Sequence, residues 1–166
     1  EADFYIDEIG VVPFPISNDA AEPVGYRLSH GIFSVATATD MGIMRKNVLE
    51  QLAGVDLLLL ESNHDPEMLR QNRHYPQALK KRILGNKGHL SNEACAQAVL
   101  ALADTGVRHV VLGHLSAENN LPELASNAYS RRFPLKTTLS YNGGEALLVN
   151  EPEMPSLSFP NWITRG

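Results

Sequence analysis

Cysteine is all but missing from this chain. Cys95 is the single one in 166 residues, so no internal disulfide can form. Such usage fits a reducing compartment, and the cytoplasm is the expected location. No apolar run approaches the ~18 to 20 residues of a membrane-spanning helix, and no charged-then-apolar segment opens the chain as a secretory signal would. An excess of positive charge is also lacking. The net charge of −5 gives no general attraction to nucleic acid. Internal repeats and low-complexity segments are absent. The chain opens Glu1-Ala2-Asp3-Phe4 without an initiator methionine and moves at once into strand-like sequence. That start is expected of a portion of a longer protein, although methionine removal or processing gives the same one.

What is present is ordinary in bulk and specific in detail. Apolar residues make up 43% and charged residues 20%, as in a globular domain able to bury a core. Three apolar runs end abruptly in residues of metal-ligand type. Ile32–Thr39 runs into Asp40, Val55–Leu60 into Glu61-Ser62-Asn63-His64, and Val107–Leu112 into Gly113-His114. Short apolar runs bounded by turn signals read as buried strands, and in open α/β sheets ligands bind beyond the carboxyl ends of the strands. Asp and His delivered from several such ends are suited to gathering one metal cluster.

Around these runs, strands are expected at 4–6, 11–16, 24–28, 136–141 and 145–149, with turns at Glu8-Ile9-Gly10, His30-Gly31 and Gly143-Gly144. Helices are expected at 45–52, from Asp65-Pro66, at 75–84, at 92–104 behind the N-cap Ser91, and at 122–129. The alternation is that of an α/β domain over residues 1–150. Residues 151–166, with three prolines and no periodicity, read as a loosely attached tail.

Asp40, alone, would read as a turn residue. With the other exits it reads as an aspartate able to bridge cations. His114, after Gly113, is a candidate metal ligand, where a lone histidine would more often be a packing residue. His89 precedes the helix start at Ser91, where partial positive charge favours anions, and is the candidate catalytic proton donor; a capping or packing histidine is the alternative. His64 is a second candidate catalytic group, with direct metal ligation, support of a ligand, substrate contact and plain packing all open. Glu61 is expected to hold a histidine or a loop amide. His30, His74 and His109 read as turn, surface and strand-start residues. From Arg70 to Lys87 there are six basic residues and no acidic one, either a solvated helix face or a rim that attracts phosphate.

The ordered segments Asn18-Asp19-Ala20-Ala21-Glu22-Pro23-Val24-Gly25-Tyr26, Thr39-Asp40-Met41-Gly42, Glu61-Ser62-Asn63-His64-Asp65, Gly88-His89-Leu90-Ser91-Asn92 and Gly113-His114-Leu115-Ser116-Ala117-Glu118-Asn119-Asn120 resemble the YycJ/WalJ-type branch of metallo-β-lactamase-fold hydrolases. The resemblance covers residues 4 to 150. It implies the C-terminal portion of a metallo-β-lactamase-type αββα sandwich, a mixed sheet flanked by helices. It also implies a metal-dependent phosphodiesterase or nuclease, 5′-to-3′ exodeoxyribonuclease-like, using two divalent ions, zinc or manganese. In that pattern Asp40 corresponds to the metal-bridging aspartate, His114 to the last histidine ligand and His89 to a proton-donating histidine. Lys87, Ser116 and Asn119 are the candidates for substrate binding.

Two departures stand out. The family's His-x-His-x-Asp-His motif belongs upstream and is absent, and Asn18 stands where the family has a histidine before Asp-Ala. An amide oxygen is the poorer zinc ligand. A rival expectation is therefore a catalytically silent fragment or interaction module, with an exposed sheet edge favouring a homodimer. A third reading, a calcineurin-like phosphoesterase suggested by Ser62-Asn63-His64-Asp65, lacks that family's closing Gly-His-x-His because Ser116 replaces the second histidine.

Overall fold

A computed structural model describes residues 3–130, 136–139 and 147–149. Eight strands form one mixed sheet in sequence order: β1 Phe4–Ile6, β2 Ile9–Pro15, β3 Val24–His30, β4 Phe33–Ala38, β5 Leu57–Glu61, β6 His109–Gly113, β7 Lys136–Leu139 and β8 Leu147–Val149. The first four pair antiparallel, β4 to β7 run parallel, and β8 returns antiparallel. Helices interrupt the chain only where the sheet turns parallel, because parallel neighbours need a crossover. They are α1 Lys46–Leu52, α2 Pro66–Gln71, α3 Gln77–Ile83, α4 Asn92–Leu102 and α5 Pro122–Ser130.

The strand register decides which side chains meet the helices. Phe14, Gly25, Ala38, Leu60 and Leu112 fall on one face, as do Ala36, Leu58 and Val110. These pack with Val48, Leu52, Leu90, Cys95, Val99 and Leu102 into a single core. On the opposite face Leu28, Val35, Leu57, Leu59 and Val111 stay half-buried, and α1, α4 and α5 lie against the first face. These three helices therefore cover one face, whereas parallel sheets are ordinarily covered on both. Pro13 and Pro15 are tolerated in β2 because β1 pairs only with Ile9–Val11, so both lie where β2 is itself the edge.

Local signals account for the helix starts. Asp65 accepts the amides of Glu67 and Met68, with Pro66 behind it, and Ser91 accepts the amide of Ala94. The first turn differs from expectation. It falls at Asp7-Glu8, with Asp7 in the left-handed region, while Ile9 and Gly10 belong to β2. An aspartate tolerates that conformation well enough to close a two-residue hairpin. His30 likewise ends β3, and the turn is Gly31-Ile32. The Gly143-Gly144 turn and the tail at 151–166 lie outside the described residues.

Candidate functional site

Because β4, β5 and β6 are parallel neighbours, their carboxyl ends open on the same edge. The register aligns Ala38, Leu60 and Leu112 in one row. Asp40, Glu61 and His114 therefore emerge side by side. His89 is added by the segment that enters α4, which is laced to the segment leaving β5. Asn63 N donates to Leu90 O and Asn92 N to His64 O, each within 2.9 Å.

Glu61 is the hub. It is fully buried, and its Oε1 accepts Nδ1–H from His89 (2.8 Å) and from His114 (2.7 Å). Its Oε2 accepts the amides of Met41 (2.8 Å) and Leu90 (3.1 Å). Burial pushes its carboxyl up, but His114, His89 and the two amides together hold it below the ordinary carboxylate value. The same contact raises the pKa of His114 above that of a free imidazole. A carboxylate that receives Nδ1–H fixes the tautomer and leaves Nε2 to coordinate. Four donors already occupy Glu61, so its carboxylate orients the two imidazoles and has no free oxygen facing the opening.

Asp40 Oδ1 stands 3.7 Å from His114 Nε2 and 3.7 Å from His89 Nδ1, and the two imidazole centroids are 5.3 Å apart. The four ligand-type groups Asp40, Glu61, His89 and His114 lie within 4.8 Å of one another. Both Asp40 (φ 59°) and His114 (φ 57°) have left-handed backbones, a conformation uncommon outside glycine, entered by Asp and His more readily than by most residues, and concentrated at functional sites. Two glycines let the loops close: a Cβ on Gly42 would strike the backbone of Gly85 and Asn86, and one on Gly88 the carbonyls of Arg82 and Ile83.

Asn18 lies beside Asp40 in a cavity of about 260 Å³ lined also by Tyr75, Arg82, Lys87 and His89. Its amide is already engaged, donating from Nδ2 to Asp40 O (2.8 Å) and accepting Ala20 N on Oδ1 (2.9 Å). The basic segment divides on folding. Arg82 forms a two-point ion pair with Asp19, which holds the Asp19 carboxyl low, and Lys80 is buried with Nζ on Arg70 O. Lys87 is exposed on the cavity wall without an ion pair among the described residues. A larger open depression of about 870 Å³, at Asn72 and Glu118, shares no lining residue with this cavity.

Three of the anticipated groups are not brought to the opening. His64 is 1% exposed, so it lies beneath the site, out of a substrate's reach. Asn119 is buried, donating to Ser116 Oγ and accepting from Asn72, and Ser116 Oγ also accepts the Asn119 amide. Neither lines the cavity. Together with Asn92 and Asn120, whose amides bond each other and Ser62, they brace the loops. Asn63 was not anticipated. Its Nδ2 donates to His114 O at 2.8 Å, and a polar residue two places beyond the strand end is the sole local sign of it.

Comparison with known proteins agrees with this geometry. The chain is 36% identical over 151 residues to exodeoxyribonuclease YycJ of Bacillus anthracis, covering 90% of this chain and 56% of that one. It is 39% identical over 118 residues to exodeoxyribonuclease WalJ of Streptococcus pneumoniae, covering 71% and 44%. It thus spans about half the length of these relatives. Among solved structures, the metallo-β-lactamase fold protein YhfI of Bacillus subtilis superposes with a TM-score of 0.64 at 12% identity, covering 88% of this chain and 52% of that one. The family model of the beta-lactamase superfamily domain matches residues 2–115, and the chain belongs to that superfamily.

Proposed function

We propose that this chain supplies one part of the active centre of a metal-dependent phosphodiester hydrolase acting on nucleic acid, as its exodeoxyribonuclease relatives are named to do. The observation that carries the reading is the placement of Asp40 Oδ1 at 3.7 Å from His114 Nε2, beside two imidazoles oriented by one buried carboxylate. A carboxylate oxygen and an imidazole nitrogen suit zinc and manganese. Their separation is that of two ligands each about 2.1 Å from a shared cation. Asp40 and His114 hold the ion in this reading; Asn18 is turned to other partners, so the described residues gather ligands for one ion of the two that the resemblance implies. A bound divalent cation supplies Lewis acidity toward a phosphoryl oxygen and ionises water near neutral pH.

The chain's own groups do the rest. Glu61 fixes both rings through Nδ1, leaving His89 Nε2 as the atom that delivers a proton to the departing oxygen. Lys87 meets the phosphate from the cavity wall, and the buried Asn network keeps the three loops in place. A nucleic-acid substrate and a single unpaired cysteine fit a cytoplasmic setting.

The test is metal analysis of the purified chain together with cleavage of end-labelled DNA. Near-stoichiometric zinc or manganese is expected, lost in His114→Ala. His89→Ala is expected to keep its metal and lose about 100-fold or more in turnover; loss of metal in that variant would show that His89 is a ligand instead. The engaged amide of Asn18 favours a second reading, a chain that is silent because its ligand set is incomplete. Metal-free protein without cleavage would establish it.

A further inference from the structure

We infer that Asn18 and Asn63 are a pair of positioning residues, each clamping the strained backbone of one metal ligand; the inference rests on the metal-centre reading above. Two non-glycine residues at the opening, Asp40 and His114, occupy the left-handed region. A lone left-handed residue other than glycine is disfavoured, less so for Asp and His than for most, and its surroundings hold it there. The surroundings do so in the same way twice. Asn18 Nδ2 donates to Asp40 O at 2.8 Å, and Asn63 Nδ2 donates to His114 O at 2.8 Å.

Each asparagine is fixed from its other side. Asn18 closes a turn onto Ala20 N through Oδ1. Asn63 is held through its own backbone, giving its amide to Leu90 O and receiving Ser116 N on its carbonyl. Asn18 thus ties the loop after β2 to the exit of β4, and Asn63 ties the exit of β5 to that of β6. Releasing the carbonyl leaves the peptide after Asp40 held only by the Met41 amide on Glu61, so that this backbone, like that of His114, shifts toward negative φ and its side chain moves from its partner. The residue at 18 is in this view a donor to the backbone and not a weak substitute for an imidazole ligand.

The discriminating variant is Asn18→Asp. If position 18 ligates the cation, an anionic oxygen there binds better than an amide and Mn²⁺ affinity rises. If Asn18 is a clamp, the donor is lost and a carboxylate oxygen faces the Asp40 carbonyl, so affinity falls. Calorimetric titration of the chain with Mn²⁺ alone is expected to show weakening of about tenfold or more, the usual effect of losing a group that orients a ligand. Asn63→Asp is expected to behave alike. Tighter binding or unchanged binding in Asn18→Asp overturns the inference.

A second arm needs no metal. In the metal-free protein, the HN–Hα coupling and Cα and Cβ shifts of Asp40 are expected to leave left-handed values in Asn18→Asp and stay there in Asn63→Asp. The shifts of His114 should show the converse. Left-handed shifts retained at Asp40 in Asn18→Asp sink the clamp. A wild-type chain that binds no Mn²⁺ sinks instead the metal-centre reading, and the metal-free shifts still decide the clamp.

Discussion

Removal of the Glu61 carboxylate by Glu61→Ala is expected to cost about 3–5 kcal/mol, the range for deleting one partner of a buried charged network. Four donors lose their acceptor at once: Nδ1–H of His89 and His114 and the amides of Met41 and Leu90. Urea unfolding measures this directly. The sharper variant is Glu61→Gln. The two backbone amides are obligatory donors, so the glutamine oxygen must face them and its NH₂ must replace Oε1. Both imidazoles then accept on Nδ1 and carry their proton on Nε2, the nitrogen that faces Asp40 in His114. Glu61→Gln is therefore expected to lose only about 1 kcal/mol of stability, yet to lose about 100-fold in metal affinity through the wrong tautomer. Histidine ¹⁵N shifts report the tautomer. Unchanged metal affinity in Glu61→Gln would mean that the carboxylate does not set the Nε2 lone pair.

This hub also shows how far the sequence could be read. The run of four leucines ending in Glu61 declared a strand and an exit, and the parallel β4, β5 and β6 ends deliver Asp40, Glu61 and His114 together because apolar patterning fixes both strand identity and exit. The caps at Asp65 and Ser91 were equally legible, being local hydrogen bonds within three residues. What local pattern did not mark was the wiring between loops. Asn18 and Asp40 are 22 residues apart and Asn63 and His114 are 51 apart. No periodicity links such pairs, since their partners are chosen by strand order alone.

The misread residues follow the same rule. Asn119 sits in a motif next to His114 and reads as a substrate contact. The loop after β6 instead turns it inward, where its amide is satisfied by Asn72 and Ser116. Lys80 counts as surface charge in the sequence, yet its ammonium is buried on a helix-end carbonyl, the behaviour of a long side chain with an apolar stem. Turn placement slipped by one residue at Asp7, where the glycine at 10 looked the better turn former. A left-handed aspartate took the position and freed Gly10 to meet Ser29 across the sheet.

Below the site, His64 gives the chain a built-in sensitivity to acid. The ring is 1% exposed and neither nitrogen has a hydrogen-bond partner among the described residues. Burial pushes its pKa down to about 4, with Glu61 opposing. A histidine depressed from about 6.5 stays neutral in the native state while the unfolded chain takes up a proton. Its contribution to stability is therefore full above pH 6.5 and is lost as pH falls from 6.5 to 4, at about 1.4 kcal/mol per pH unit and about 3 kcal/mol in total. The two neighbours act in other windows. The raised His114 stabilises fully below pH 6.5 and loses its share only as pH rises through its native value. The depressed Glu61 loses its share below pH 4.5, as pH falls through its native value. Of these three groups, only His64 contributes a slope between pH 6.5 and 4.5. His64→Leu keeps the backbone bond from Asn92 to residue 64 and replaces an unsatisfied ring by an apolar chain, so it is expected to stabilise by about 1–2 kcal/mol at pH 7 and to flatten the slope. Unfolding free energies by urea at half-unit pH steps measure both. A slope unchanged in His64→Leu would show that it arises from other groups and that the imidazole of His64 is not held neutral by burial.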